Sequence, residues 1–393
     1  MDQVSETTGD RTTRGLLRPL VARSTDEEHR VSTPLELFFD LCFVVAVAQA
    51  STSLHHALGE DDLHQALVGY PITFFSIWWA WMNFTWFSSA YDNDDVVYRL
   101  LTLVQITGVL ILAAGVPRAF NYRDFDIVFV GYLVIRAGLV SLWLRAGHYD
   151  EARRATVHRF AAGETLCMVG WGGVALLGWP IWAFVVLGVA ELAVPIWAEL
   201  AEKTPWHPEH IAERYGLFTI IVLGETILAS SVAFQAVVDD RSGDTTAVLT
   251  AVGALLTVFS MWWLYFAKPA ASSLVSNKVG FPWGYGHFVV FAAAAAVGAG
   301  VGVVVDSVTG HAHVSDTGAA AAFTIPVVLY VAAVVFIQTL LFGVHRLRLA
   351  VSVAAVVLIA VATFTGQPVL FTGVVLAALI AALFVVSAGA SEP

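Results

Sequence analysis

The sequence predicts an all-α integral membrane protein. Three features carry that expectation: composition, charge-free runs and the placement of basic residues. Of 393 residues, 58% are hydrophobic and 13% charged, whereas soluble domains carry roughly 25% charged residues. Positions 245–267, 317–344 and 349–391 contain no Asp, Glu, Lys or Arg, and about 20 apolar residues cross a bilayer. The last run has room for two crossings, divided at Gly366-Gln367-Pro368. The expectation is an integral membrane helical bundle of about twelve transmembrane helices.

Residues 1–33 are polar, mixed in charge and without an apolar core, so they read as a disordered cytoplasmic tail rather than a signal peptide. Hydropathy and chain breakers then predict helices over 34–54, 66–88, 98–117, 126–145, 160–177, 179–200, 211–234, 245–267, 284–305, 320–343, 348–365 and 368–388. Only Gly178-Trp179-Pro180 divides the fifth from the sixth. With this count and the N-terminus inside, sixteen Lys and Arg fall in cytoplasmic segments and only Arg118, Arg123 and Arg241 outside. Arg136 lies within a helix. Positive residues favour the cytoplasmic side, which predicts a multi-pass membrane protein with both termini inside.

The chain echoes itself. "FFSIWWAW" at 74–81 recurs as "VFSMWWLY" at 258–265, and "LELFFDLCFVVAV" at 35–47 more loosely as "AERYGLFTIIVLG" at 212–224. Gly178-Trp179-Pro180 answers Gly366-Gln367-Pro368. Two parallel six-helix repeats, 34–200 and 201–393, are expected from these echoes. In 291–305, Gly298 and Gly302 stand at GxxxG spacing, which permits close helix approach, most simply inside the bundle.

Charge at bilayer depth is costly and is normally paired or beside an aqueous path. Glu36 and Asp40 lie one turn apart on the first helix. In "YDNDDVVYR", Asp92, Asp94, Asp95 and Arg99 mark the junction of the second and third helices. His210, Glu213 and Arg214 open the seventh, while Glu164 and Glu199 fall at the same cytoplasmic level. Deeper lie Arg136, Glu191 and Glu225, and Arg136 is expected to pair with Glu191 or Glu225. The cytoplasmic group reads as a polar chamber with Asp92–Asp95 as one wall and Arg99 as its counter-charge. The plainer readings are helix capping at 92–95, water-reaching acids at 36 and 40, and an inert buried salt bridge at depth. The tryptophans read as packing, and Trp206 as part of an interfacial belt.

The net charge of −11 sits largely in short loops and helix ends without a basic stripe, so nucleic acid is not an expected partner. Cys42 and Cys167 both lie in apolar segments, which argues against a disulfide framework or a zinc site. Asp92-Asn93-Asp94-Asp95 matches the D-x-D-D string of some terpene cyclases, but no phosphate-binding loop accompanies it. His287 and His345 fall at expected helix ends, too shallow for haem ligation. No G-x-S-x-G or H-E-x-x-H string occurs. No cofactor or metal is expected, and the catalytic signal is weak.

"TPLELFFDLCFVVAVAQ" at 33–49, "WMNFTWFSSAYDNDDVVYRLLTL" at 81–103 and "WHPEHIAERYGLFTIIVLGETIL" at 206–228 resemble the bacterial low-temperature-requirement A (LtrA) family. The resemblance spans nearly the whole chain and implies a polytopic membrane protein of a family named for a cold-growth phenotype. It also implies that Glu36, Asp40, Asp92, Asp94, Asp95, Arg99, His210, Glu213, Arg214 and Glu225 belong to family motifs. The expected partners are the lipid bilayer and a small molecule, ion or lipid. The leading expectation is a secondary transporter or ion-coupled permease, in the bacterial cytoplasmic membrane that the resemblance implies. Glu225, Glu36 or Asp40 would be its protonation or cation sites, with Arg99, Arg136 or Arg214 pairing with them or binding an anionic substrate. The alternatives are a membrane-embedded lipid or isoprenoid enzyme, in which Asp92–Asp95 would hold a metal, and a non-catalytic lipid-binding or sensory protein. The oligomeric state is left open.

Overall fold

The computed structural model describes residues 17–23, 31–239 and 245–388. Twelve α-helices run in order: α1 (Pro34–Gly59), α2 (Leu63–Ala90), α3 (Val96–Tyr122), α4 (Asp126–Tyr149), α5 (Arg154–Leu176), α6 (Ile181–Glu199), α7 (Pro208–Asp239), α8 (Thr245–Phe266), α9 (Asn277–Val308), α10 (Asp316–Phe342), α11 (Arg346–Ala362) and α12 (Pro368–Ala388). No strand occurs among the described residues. Among the described residues, nine of these helices are long and apolar enough to cross a membrane by length and composition. The three that fall short are α2, α5 and α11. With 17 residues α11 is brief, α5 carries Arg154, His158, Arg159 and Glu164, and α2 mixes its tryptophans with Asn83, Ser88 and Ser89. Mid-helix Val169, Val186 and Val357 face outward, as lipid-facing side chains do.

Helix ends extend beyond the apolar stretches that announce them. The fifth starts at Arg154 rather than 160, and the ninth at Asn277 rather than 284. Hydropathy marks only the apolar stretch, while backbone hydrogen bonding carries the helix into polar sequence. Two residues change depth as a result. Glu164 sits mid-helix rather than at the cytoplasmic level, and His287 lies well inside α9, its ring between the Trp283 carbonyl at 2.7 Å and Tyr265 Oη at 2.9 Å.

Short links tie helix ends together. Trp179 Nε1 donates to Asp126 at 2.8 Å, the His313 N–H donates to the Gly59 carbonyl at 2.9 Å, and Arg153 Nε donates to the Lys203 carbonyl at 2.9 Å. Trp206 is buried and donates to Asn277 at 2.9 Å, so it is an internal strut rather than part of an interfacial belt. Both cysteines are free and buried.

Packing between helices is close where side chains are small. A Cβ on Gly253 of α8 would meet the Leu370 backbone nitrogen of α12 at 2.4 Å, so only glycine fits that seam. A Cβ on Gly298 would stand 3.2 Å from the Glu225–Thr226 backbone of α7, and one on Gly302 would stand 3.1 Å from the His55 ring. The GxxxG stretch therefore serves internal packing, as expected. The two six-helix stretches are not separate bodies, since α1 packs on both α7 and α9.

Of the segment 1–33, residues 1–16 and 24–30 lie outside the described residues. Residues 17–23, expected to be part of a disordered tail, instead pack against the α2–α3 junction. Leu20 is fully buried, the Arg18 N–H donates to Asp95 at 2.7 Å and the Arg23 N–H donates to the Ala90 carbonyl at 3.1 Å.

Candidate functional site

Among the described residues, three clusters gather most of the site acids and bases, each drawn from different helices, while Glu199 stands apart with Thr204 and Asn277. The first begins with local sequence. Thr33-Pro34-Leu35-Glu36 builds a capping box at the start of α1: Thr33 Oγ1 accepts from the Glu36 N–H at 3.3 Å, and Glu36 accepts from the Thr33 N–H at 2.8 Å. One turn on, Asp40 receives both arms of Arg214 from α7, Nε at 2.8 Å and Nη2 at 2.5 Å. Trp81 Nε1 donates to the same carboxylate at 2.7 Å. Arg214 also reaches Glu36 Oε1 at 3.2 Å and donates to Ser88 at 3.1 Å and Thr85 at 3.3 Å, while His210 Nε2 lies 3.1 Å from Glu36. All four ionisable groups are buried. This cluster ties α1, α2 and α7 together.

The second cluster sits deeper. Arg136 of α4 lies between Glu191 of α6, Nη2 to Oε2 at 2.7 Å, and Glu164 of α5, Nη1 to Oε2 at 3.1 Å. The Glu164 approach lacks hydrogen-bond alignment, so it is an electrostatic contact rather than a directed bond. Indoles complete the carboxylate shells. Trp79 donates to Glu191 at 2.9 Å, Trp171 to Glu191 at 3.2 Å and Trp143 to Glu164 at 3.0 Å. Two carboxylates here face one guanidinium, so the cluster holds one more acid than base.

Glu191 also belongs to a cavity of about 330 Å³ between α2, α4, α5 and α6. Its walls are mainly aromatic, including Phe75, Trp79, Tyr132, Trp171 and Phe184. It offers one carboxylate in a lining that is otherwise almost wholly apolar, a common form for a small-molecule site.

The third cluster is the 92–95 junction. Asp92 accepts from the Asp94 N–H at 3.1 Å, and Asp95 N-caps α3 by accepting from the Tyr98 N–H at 2.8 Å. Each acid faces its own cation: Asp92 with Arg23 at 3.4 Å, Asp94 with both arms of Arg99 at 2.7 Å, and Asp95 with Arg145. Burial alone would raise the Asp95 pKa; Arg145, the Tyr98 N–H and the Arg18 N–H outweigh it and hold that carboxyl below the usual range.

The single chamber expected at one end of the bundle is therefore divided. Asp92, Asp94 and Asp95 are occupied by helix capping and by three arginines, which is the plainer reading. Arg99 neutralises Asp94 alone. Glu213 leaves the chamber too, accepting from the Ser32 N–H at 3.0 Å. Arg136 takes Glu191, as one alternative had it, and adds Glu164. Glu225 is not its partner: it is half-buried on α7 and makes no hydrogen bond or ion pair among the described residues. Sequence reasoning missed Arg145, the four donor indoles and the Thr85 and Ser88 hydroxyls. The T-x-x-E string at 33–36 could have revealed the capping box. Nothing local could have revealed the others.

A bundle of apolar helices with paired charges sealed inside defines a polytopic membrane protein. Residues 31–388 match the family described as bacterial low temperature requirement A protein (LtrA), and the chain belongs to that family. It is also 30% identical over 257 residues to a Rhizobium meliloti (strain 1021) protein described as uncharacterized protein RA0937, a match covering 62% of this chain and 60% of that relative.

Proposed function

We propose that this protein is a proton-coupled secondary transporter for an apolar or amphipathic solute. The observation that carries the reading is the double membership of Glu191, which lies both in the aromatic cavity wall and in the ion cluster with Arg136 and Glu164. The surplus carboxylate gives a proton a place to bind without leaving net charge buried. A solute that displaces the Glu191 contacts would change how Arg136 is shared, and so link solute binding to proton uptake or release. The lipid-enzyme reading has less support, because the acids of the 92–95 string are matched one for one by arginines.

We further infer a bacterial cytoplasmic membrane setting with both termini inside, supported by the bias of basic residues. Two parallel six-helix repeats belong to the same proposal. In their support, α1 packs on α2 and α3 as α7 packs on α8 and α9, and α3 packs along α4 as α9 packs along α10. One departure bears on function. Where the α8 backbone closes on α12 at Gly253, the corresponding α2 and α6 leave the aromatic cavity between them and meet through the Trp79–Glu191 hydrogen bond.

The test uses proteoliposomes loaded with a pH-sensitive dye and exposed to lipophilic cations, neutral amphipaths and lipophilic anions. At least one class should drive proton movement with the native protein and none with Glu191→Gln. Proton movement with no class, or equal movement in the variant, would sink the proposal.

A further inference from the structure

A second cavity, of about 510 Å³, lies between α8, α10, α11 and α12 on the far side of the sequence from the ion clusters. Its body is apolar, lined by Trp263, Val335, Leu383 and Phe384, and its polar groups gather where α8 and α10 end and α11 begins. Two of them are cations. Arg348 Nη2 donates to Ser387 Oγ at 2.6 Å, and Lys268 Nζ stands 4.6 Å above the Phe342 ring. Neither has a carboxylate partner among the described residues. On the four surrounding helices the one acid is Asp316, at the opposite end of α10.

Two like charges over an apolar body are an unusual thing to leave unmatched. Elsewhere in the chain, buried arginines take two acids each at Arg136 and Arg214. Here burial, and then the nearby Arg348, pull the Lys268 pKa below its ordinary value. A bound anion would relieve both effects. Its remainder must be apolar to suit the walls, and Trp263 and Phe384 are about half exposed on the outside of the bundle, where acyl chains pass. Basic pockets between helices at the headgroup level suit anionic lipids.

We propose that this cavity is a binding site for an anionic phospholipid of the surrounding bilayer. The phosphate sits between Lys268 and Arg348, with Ser387 and His345 within the same pocket, and an acyl chain runs along the apolar wall of Trp263, Leu383 and Phe384. The site is separate from the aromatic cavity and does not depend on what that cavity carries.

Native mass spectrometry of the full chain in detergent tests this, with titration of phosphatidylglycerol, phosphatidylcholine or inorganic phosphate. The expected result is preferential retention of one phosphatidylglycerol, weakened roughly fivefold by removing either cation and more by removing both. The K268Q/R348Q variant should therefore lose the preference, while the charge-keeping K268R/R348K variant retains it. R346Q, which removes a neighbouring cation outside the cavity lining, should also retain it. Melting temperature in detergent checks that each variant is folded; a misfolded K268Q/R348Q chain leaves the decision to the single variants. Equal retention of both lipids by the native chain, or an undiminished preference without the two cations, would overturn the proposal. Displacement of phosphatidylglycerol by inorganic phosphate at matching concentration would assign the pocket to a free anion and overturn the lipid reading.

Discussion

Arg136 Nη2 lies 2.7 Å from Glu191 Oε2, and the same guanidinium has a second carboxylate, Glu164, at 3.1 Å. All three side chains are buried, on helices α4, α5 and α6. Removing the shared cation leaves two acids facing each other without compensation. Arg136→Gln should cost about 3–5 kcal/mol, read as a fall in melting temperature in detergent. Glu164→Gln should cost much less, because one arginine still meets one acid and the amide oxygen still accepts from Trp143.

The Arg214 cluster makes the same point with a different consequence. Arg214 bridges α7 to Glu36 and Asp40 of α1, so Arg214→Gln should loosen the α1–α7 seam as well as lower stability. Hydrogen exchange at the start of α1 should rise in that variant. Asp40→Asn, which keeps acceptor and shape, should show a smaller rise.

Glu225 should behave in the opposite way. It is half-buried and makes no polar contact among the described residues, so its charge gains nothing to offset the loss of water. Glu225→Gln should leave the melting temperature unchanged or raise it. A marked fall would reveal a partner that the native fold conceals.

The 17–23 strap should depend on pH through Asp95. Its folded pKa lies below the unfolded value of about 3.9. Its contribution is therefore complete above that value and is lost as pH falls through the lowered folded value. Hydrogen exchange in residues 17–23 should rise on acidification across that window. Asp95→Asn should produce the same opening at neutral pH, because Arg145 and the Arg18 N–H both lose their charged acceptor.

The aromatic cavity can be filled without disturbing the charges. Gly188 lines it, and an added Cβ would find Phe75 as its nearest neighbour at 4.0 Å. Gly188→Leu should preserve the melting temperature and abolish solute-driven proton movement. Unchanged movement would separate the cavity from the transport path.

Much of the architecture was legible beforehand because membrane burial writes itself into composition. The charge-free runs at 245–267 and 349–391 became α8, α11 and α12 with small shifts at the ends. The boundary errors fall where helices begin in polar sequence, at Arg154 and Asn277, since hydropathy senses the solvent a segment meets and not its backbone hydrogen bonds. The sites were legible as positions but not as partnerships. Asp92, Asp94 and Asp95 share a loop with Arg99, yet Asp95 is claimed by Arg145 some fifty residues away and Asp92 by Arg23.

By itself the sequence determined that this is a helical membrane protein, roughly where each helix runs, and which few charges lie among apolar residues. Those properties follow from local composition and from the need of every buried backbone group for a hydrogen bond. Only the tertiary structure decided that Arg136 takes Glu164 along with Glu191, that Glu213 and the 92–95 acids stand outside the Arg214 cluster, and that α2 and α6 leave a cavity between them while α8 and α12 close. Those outcomes depend on how each helix is rotated and which neighbours it meets, and small residues such as Gly253 set that from positions far away in the chain.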